Sequence, residues 1–592
     1  MFLATTALEK FWETRQPILF LGEWCRLYSR RQHWQELEAQ VLPDLWEDIA
    51  DVESANAYCL ELYHASISEI TAILNRVHDV RKPTIYYEII LGNWLQYYIH
   101  QLYDKYVCLK EALHLQPNLT TICLDPSEHY VPADLADMAQ RLSSDADALQ
   151  HYSQILECLG YEFPIKRLGS FKQPALFECN GGAKRFIYRQ FTRVAYHLNA
   201  VLHDECIVVT DPSFYRPLPT AASLMWRSRF KIVVDAFAHH IRVPFQVNSD
   251  LRANLKMGLA DDEFTAVLSA LLFRNIPAIY LEAYSGIIEQ LKGKSIRLPS
   301  MLHTAVGLHF NLPFKFFAAE HYDEFPLTGH QYGGGYGVDM FCAPEAWERS
   351  IVRCYYTWGW QAAQARYLPH PKLLPPRMQK EGTGCVLLSM TTWTRNLSRF
   401  ECHVTGHNFV QKNLESTLSF CQQLGHEVEL KIRFHRLNFG WSIETRFRES
   451  GAVFTKDETP SFRDSASHAR ICVFDHLGTS YIETLAWNIP TLVFIDKSAH
   501  KLRISVRPVF NELERVGILH YTPASAASHL IAVHDDVPAW WNSDAVQNAR
   551  TRFVQELGRA SQDWIAEWQE EFERLIREIS SAQSACAGDQ HA

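Results

Sequence analysis

The chain has 592 residues and a formal net charge of −10, with 47% apolar and 21% charged residues. That length exceeds what one hydrophobic core holds, so two or more domains are expected, and the composition is that of a globular protein in water. The acidic balance without a basic stripe excludes an ordinary nucleic-acid binder, and 14 cysteines without a CxxC pair exclude a zinc ribbon or disulfide framework and suit a reducing cytosol.

The opening stretch MFLATTALEKFWETRQ acquires charge before any apolar run long enough for a signal peptide. PILFLGEWC (17–25) reads as a buried strand running into a loop with Gly22, Glu23, Trp24 and Arg26, and Glu23 is a candidate general base. Residues 85–106 read as a helix, on which Glu88 sits in a mostly apolar stretch as a second candidate catalytic carboxylate. Asn93, Gln96, His100, Gln101 and Asp104 disqualify that stretch as a membrane span, which needs about 20 mostly apolar residues. Asp145-Ala146-Asp147 matches the DxD pattern of metal-dependent sugar transferases, but it follows RLSS at a helix start, where capping explains it. Further strands and helices follow at 205–214 and 261–273, with a solvated basic patch from Arg227 to Lys231. Residues 1–366 thus read as an amino-terminal α/β domain with a helical insertion, closing near the aromatic strand CYYTWGW (354–360).

Within it, GHQYGGGYGVD (329–339) places three consecutive glycines, which let a backbone approach another group closely at an entropic cost. Gln331, Tyr332 and Tyr336 could line a sugar site, and Gly333, Gly334 and Gly335 would close an interdomain cleft; a plain glycine turn is the alternative. The Pro-, Gly- and charge-rich stretch 367–384 reads as a linker. Beyond it, residues 376–535 alternate strand and helix, the signature of a parallel, doubly wound sheet. Arg433 and His435 fall at a strand's carboxyl end, where an arginine suits phosphate or carboxylate recognition or a salt bridge within the fold.

The segment CVFDHLGTSYIETLAWNIPTLVFID (472–496) reads as strand, loop, helix, turn and strand. Ligands of doubly wound sheets bind beyond the carboxyl ends of strands, so Gly478, Thr479 and Ser480 could cradle a nucleotide phosphate, with Glu483 on ribose hydroxyls. Asp475 and His476 at the strand end favour that reading, because polar residues there rarely serve packing. Ser480-x-x-Glu483 is equally a capping box that needs no ligand. The tail, 540–580, reads as one amphipathic helix that clasps the other domain, with Phe553, Leu557, Trp564, Trp568, Phe572, Leu575 and Ile579 on its apolar face. No HExxH, GxxxxGK[ST] or GxSxG occurs, which disfavours a zinc hydrolase, a P-loop NTPase and an α/β-hydrolase.

The pieces FLATTALEKFW, ILFLGEWC, IILGNWLQYYIHQLYD, QYGGGYG, YYTWGW and TSYIETLAWNIPTLVF, spread over residues 2–494, resemble a family of bacterial transferases associated with O-antigen biosynthesis. The last piece is also similar to the donor-domain signature of two-domain GT-B glycosyltransferases, among them capsule enzymes that use CMP-linked ulosonic acids. The resemblance implies two Rossmann-like domains facing a cleft and transfer of a sugar from a nucleotide-activated donor to a glycan or lipid-linked acceptor. The donor would be held by Asp475, His476, Gly478, Thr479, Ser480, Glu483 and Arg433, with no metal and no cofactor besides the donor itself. It implies a cytoplasmic enzyme of surface polysaccharide (O-antigen, lipopolysaccharide or capsule) synthesis, with or without peripheral contact at the inner face of the membrane. Related sequences are expected to carry Gln-His-Gly-Gly where this chain has Gln331-Tyr332-Gly333-Gly334. Two alternatives stay open: a phospho-polyol transferase using a CDP-alcohol, and a non-catalytic nucleotide-binding relative.

Overall fold

The computed structural model describes residues 1–141, 144–169, 176–179, 206–209, 231–234, 241–292, 299–376, 384–396 and 409–589. Most of the basic patch, 227–230, lies outside the described residues.

Two six-stranded parallel sheets organise the chain. The carboxyl-terminal sheet is built from β14 (Val386–Ser389), β15 (Leu430–Arg433), β16 (Thr455–Lys456), β17 (Ile471–Phe474), β18 (Thr491–Phe494) and β19 (Leu519–His520). Their order is β16-β15-β14-β17-β18-β19, and every pairing is parallel. Counted within the sheet that is 3-2-1-4-5-6, the doubly wound order whose reversal falls between β14 and β17. Strands β14, β17 and β18 are buried at every position, as continuous apolar runs covered by helices on both faces must be.

The amino-terminal sheet contains β7 (Cys206–Val209), β8 (Lys231–Val234), β10 (Met301–Thr304), β11 (Leu327–His330), β12 (Cys354–Thr357) and β13 (Ala365–Tyr367) in the order β13-β12-β11-β10-β7-β8. Read from its far edge this is 2-1-3-4-5-6, again parallel throughout. The expected GT-B-like, two-sheet α/β layout is therefore the observed one.

Three features differ from the sequence reading. The strand at 17–25 does not join the six-stranded sheet: β2 (Ile18–Phe20) lies between β1 (Phe2–Ala4) and β3 (Ala39–Val41) in a separate three-stranded parallel sheet. The helical insertion is larger than 85–106, because Thr84–Leu115 pairs with Ile49–His78 as a hairpin. Thr84–Leu115 buries residues on all sides, including Asn93, Gln96, His100, Gln101 and Asp104, and this explains its apolar composition. Among the described residues no helix is long and apolar enough to cross a membrane.

The tail is two helices rather than one, Asp544–Leu557 and Trp564–Asp589, interrupted at Gly558. The first packs on the carboxyl-terminal half, where the Phe553 ring meets Tyr481 and Phe510. The second lies on the amino-terminal sheet, burying Trp568 and Phe572 among Met301, Cys354 and Tyr356. Between them the Arg559 N–H donates to the Trp358 carbonyl at 2.7 Å. The tail thus crosses from one half to the other, as the clasp reading requires, but through a turn. The segment after β13 is packed rather than loose: Leu368 and Leu373 are buried, and the Trp568 indole donates to the Pro369 carbonyl at 2.7 Å.

Candidate functional site

The order reversal between β14 and β17 opens a crevice at their carboxyl ends, the place where a doubly wound sheet accepts a ligand. The two strands hand over to Thr391-Thr392-Trp393 and to Asp475-His476-Leu477-Gly478-Thr479. Asp475 is fully buried and is the hub of the crevice floor. Its Oδ1 accepts from the Thr391 N–H at 3.3 Å and lies 2.9 Å from His476 Nδ1. Its Oδ2 accepts from Asn413 Nδ2 at 3.5 Å and Thr417 Oγ1 at 3.2 Å. A buried carboxylate is tolerable only when it is satisfied in this way. Asp475 therefore holds the site together and has no surface left for a donor, which corrects its assignment as a donor contact.

The Gly-Thr-Ser loop does not form the capping box that its sequence offered. The helix it starts, Ser480–Ala486, has Thr479 at the cap position and no side-chain cap bond, so the Ser480/Glu483 capping box does not form. Ser480 occupies the first helical turn instead of the cap. Glu483 is buried and ion-pairs with Lys372 Nζ at 2.9 Å, a residue from the crossing segment. The Thr479 hydroxyl accepts from the Gly334 N–H at 3.2 Å. The loops at the carboxyl ends of β11 and β17 thus touch directly.

That contact explains the glycines unequally. A Cβ on Gly334 would stand 2.6 Å from the Gly478 carbonyl carbon, so only glycine permits the approach. A Cβ on Gly335 would collide with the Asp339 carboxylate, whereas one on Gly333 would meet only Tyr336 at an ordinary 3.7 Å. Gln331 is fully buried and spent inside the loop. Its Oε1 accepts from the Trp358 N–H at 3.0 Å and the Trp360 indole at 2.8 Å, and its Nε2 donates to the Gly333 carbonyl at 2.9 Å. Tyr336 is likewise buried, so Gln331 and Tyr336 shape the turn instead of facing a sugar.

The halves are joined around this point by contacts that local sequence does not reveal. The Met340 N–H donates to the Lys501 carbonyl at 2.8 Å, and the Arg503 N–H to Val338 at 3.0 Å, as a short antiparallel bridge. Arg503 also makes a two-point ion pair with buried Glu345, at 2.7 and 3.1 Å. On the other side Arg395, from the loop after β14, pairs with Asp145 at 2.7 Å and donates to the Trp24 carbonyl at 2.9 Å. Asp145-Ala146-Asp147 is accordingly a helix start, with the Ser144 hydroxyl accepting from the Asp147 N–H.

A cavity of about 590 Å³ lies between the halves, lined by Trp46 and Glu47 from one and Ser416, Asp496, Tyr521 and Asn413, which also reaches Asp475, from the other. A second cavity, about 540 Å³, opens beyond β15 and β16 and includes Arg433, His435, Arg436 and Lys456. Arg433 Nη1 is committed to Asp457 at 2.6 Å, the Thr459 carbonyl at 2.7 Å and Ser465 Oγ at 3.2 Å. Burial pushes Asp457 up, but bonds from Ser465, Thr459 and Arg433 outweigh it and hold the carboxyl below its usual range.

The two candidate catalytic carboxylates are placed differently. Glu23 forms a two-point ion pair with Arg26, with Nε at 3.0 Å. It sits one residue from the Trp24 carbonyl that Arg395 reaches, and so lies at the junction of the halves. Glu88 lies on Thr84–Leu115 with its backbone carbonyl accepting from the Trp347 indole at 3.0 Å, and burial raises its carboxyl above the usual range, with His64 opposing. The structure does not bring Glu23 and Glu88 into one hydrogen-bonded group. A polar cluster that the sequence reading missed lies beyond β10. His309 is buried between the Glu348 carboxylate on Nε2 and Asn93 at 3.0 Å on Nδ1, with its ring 5.0 Å from Tyr332. It places an imidazole beside the position where related sequences are expected to carry histidine, but both of its nitrogens are engaged. The only sequence signal for it was a polar residue following an apolar run.

Among the described residues no group of three or more His, Cys, Asp and Glu is arranged to hold a metal ion.

The chain is similar to several solved structures. The UDP co-structure of MnaA from S. aureus is 12% identical, with 64% of this chain and 96% of that one covered and a TM-score of 0.35. MurG of Acinetobacter baumannii is 10% identical, covering 63% and 100%, with a TM-score of 0.32. The glycosyltransferase SnogD from Streptomyces nogalater is 12% identical, covering 64% and 100%, also with a TM-score of 0.32. No curated protein matches the sequence. The model of the LIC12162 family of transferases matches residues 1–572, nearly the whole chain, and the protein belongs to that family.

Proposed function

We propose that this transferase is a glycosyltransferase that moves a sugar from a nucleotide-activated donor to a glycan or lipid-linked acceptor in surface polysaccharide synthesis. One observation carries the reading. Two Rossmann-like sheets meet by their carboxyl edges at the Gly334–Thr479 contact, and a cavity elsewhere along the junction is lined by both halves. Such a junction gives a donor one wall and an acceptor the other, and keeps water from the bond being exchanged. The carboxyl-terminal half would hold the nucleotide, with its phosphate against Gly478, Thr479 and Ser480, and a CMP-linked ulosonic acid is one donor of that kind.

In transfer, the bond from the anomeric carbon to the phosphate oxygen breaks as the acceptor oxygen bonds to that carbon. The acceptor's proton passes to a carboxylate. Glu23, at the junction of the halves, suits that role better by position than Glu88, whose surroundings belong to the helical hairpin. Arg433 would reach a phosphate only by releasing Asp457.

Thermal-shift titration with CMP, CDP, UDP, GDP and dTDP tests the reading, since a ligand that binds only the native state raises its melting temperature. One nucleotide should raise it, and the matching nucleotide sugar should be turned over with release of that nucleotide. Release of CMP from a CDP-alcohol would instead identify phospho-polyol transfer, and binding without turnover a non-catalytic relative. No shift with any of the five would overturn the assignment.

A further inference from the structure

His476 and Asp475 form a carboxylate–imidazole pair at the sheet's order reversal, and its geometry has one open end. Asp475 is fully buried, and both of its oxygens are engaged by Thr391, Asn413, Thr417 and His476. The imidazole is held through Nδ1 at 2.9 Å, so its rotation is fixed and its Nε2 points away from the carboxylate. The His476 side chain retains 12% exposure, unlike its partner. Its Nε2 edge lies over the Gly478 Cα, and a Cβ on Gly478 would stand 2.7 Å from both Nε2 and Cδ2. Gly478 has no positive φ to account for its glycine. The missing side chain is what leaves the nitrogen uncovered above the loop.

We infer that His476 is the residue that grips the donor's phosphate, with Asp475 as the group that positions it. In the complex the Nδ1–H stays on the Asp475 carboxylate and the Nε2–H donates a charge-assisted bond to a phosphate oxygen. His476 touches the ligand; Asp475 acts only through it. The inference rests on the reading of the crevice as a nucleotide site and adds that recognition there is directed at phosphate rather than at base or ribose. The group that leaves with the nucleotide during transfer is that same phosphate, so the contact strengthens as negative charge collects on its oxygens.

The experiment compares binding of CMP, CDP, UDP, GDP and dTDP with binding of their nucleosides by calorimetry. It uses the full-length protein and the variants His476→Ala, His476→Gln and Gly478→Ala, each checked for an unchanged melting temperature. The best-bound nucleotide should lose roughly tenfold or more in affinity in His476→Ala, the worth of a charge-assisted bond, while its nucleoside changes little. His476→Gln, which keeps an N–H donor but no charge, should fall between. Gly478→Ala, which pushes the ring aside without removing it, should resemble His476→Ala. A general loosening of the site would weaken nucleotide and nucleoside alike. If the nucleotide binds and His476→Ala and Gly478→Ala leave its affinity within twofold, the phosphate role of His476 is overturned while the nucleotide site stands. If neither nucleotides nor nucleosides bind the wild-type protein, the site reading fails and this inference with it.

Discussion

The amino-terminal and carboxyl-terminal sheets are both six strands wide and wholly parallel, yet their interiors differ. The central strands of the carboxyl-terminal sheet are aliphatic and aromatic, and polar groups appear at their ends, as with Asp475 after β17. The amino-terminal sheet carries buried polar side chains within its strands: His303 and Thr304 on β10, Thr328 and His330 on β11. His303 Nδ1 meets the Thr328 hydroxyl at 3.0 Å, and His330 Nε2 meets the Leu368 carbonyl at 3.2 Å. Both rings lie against Trp568 of the tail, at 5.0 and 5.7 Å. One sheet closes its core with neighbouring helices of its own sequence. The other depends on a helix more than 200 residues downstream, and so the halves should fail under different stresses.

The largest expected difference is in acid. Burial pushes His100, His129 and His151 down to about 4 and His330 to about 3, and it holds His303 and His370 well below the usual histidine range. A histidine near 6.5 in the unfolded chain then binds its proton there before it does in the fold. Stability is fully present above about pH 6.5 and falls as pH drops toward 4, by up to about 1.36 kcal/mol per unit for each histidine. Among the described residues the carboxyl-terminal half holds fewer such groups; His520 is lowered to about 4 by burial and His529 is lowered. Hydrogen exchange at pH 5 should therefore open β10 and β11 before β14 and β17. Equal protection of both sheets would break the contrast.

Next in size is Trp568→Ala. Removing a buried indole that also donates to Pro369 should cost about 3–5 kcal/mol, read as a shift in denaturant midpoint. The loss should fall on the amino-terminal sheet, while the Phe553 contacts of the preceding helix keep the other half protected. A cost below about 1 kcal/mol would mean the tail merely rests on the sheet.

The junction supplies a sharper pair. Gly334→Ala inserts a carbon between two backbones and should cost about 1–3 kcal/mol, as overpacking does. Gly333→Ala, with ordinary room, should stay within about 0.5 kcal/mol. Calorimetry on both would show whether the halves are held at this point, and similar values would return all three glycines to a plain turn.

A smaller loss than that of Gly334→Ala belongs to Glu483→Gln, which removes the countercharge of Lys372, itself 34% exposed. A loss near 1 kcal/mol is expected. Nucleotide affinity should not change, because the carboxylate is turned toward the crossing segment. Weaker nucleotide binding at unchanged stability would restore Glu483 to the ribose.

Much of this was legible in the chain itself. The alternation of apolar runs and amphipathic segments from 384 onward predicted the parallel sheet because strands buried on both faces have no polar choice. Asp475 and His476 stood out because polarity at such a strand's end needs a reason, and the consecutive glycines announced a close approach. Local pattern failed where two structures share one pattern. Ser480-x-x-Glu483 satisfies a capping box, yet Lys372, over 100 residues away, takes the glutamate. The apolar spacing runs on across Gly558, yet the helix stops there because its two halves serve different sheets.

What the amino-acid sequence determined by itself is therefore the periodicity: which segments become strands or helices, and which of their ends carry chemistry. That follows from burial, which acts on each residue locally. Partnership was decided only by the tertiary structure: Thr479 with Gly334, Arg503 with Glu345, Arg395 with Asp145, and Asp475 with a ring of donors from three segments. Hydrogen bonds and ion pairs between distant residues depend on where the two sheets come to lie, and no local spacing encodes that.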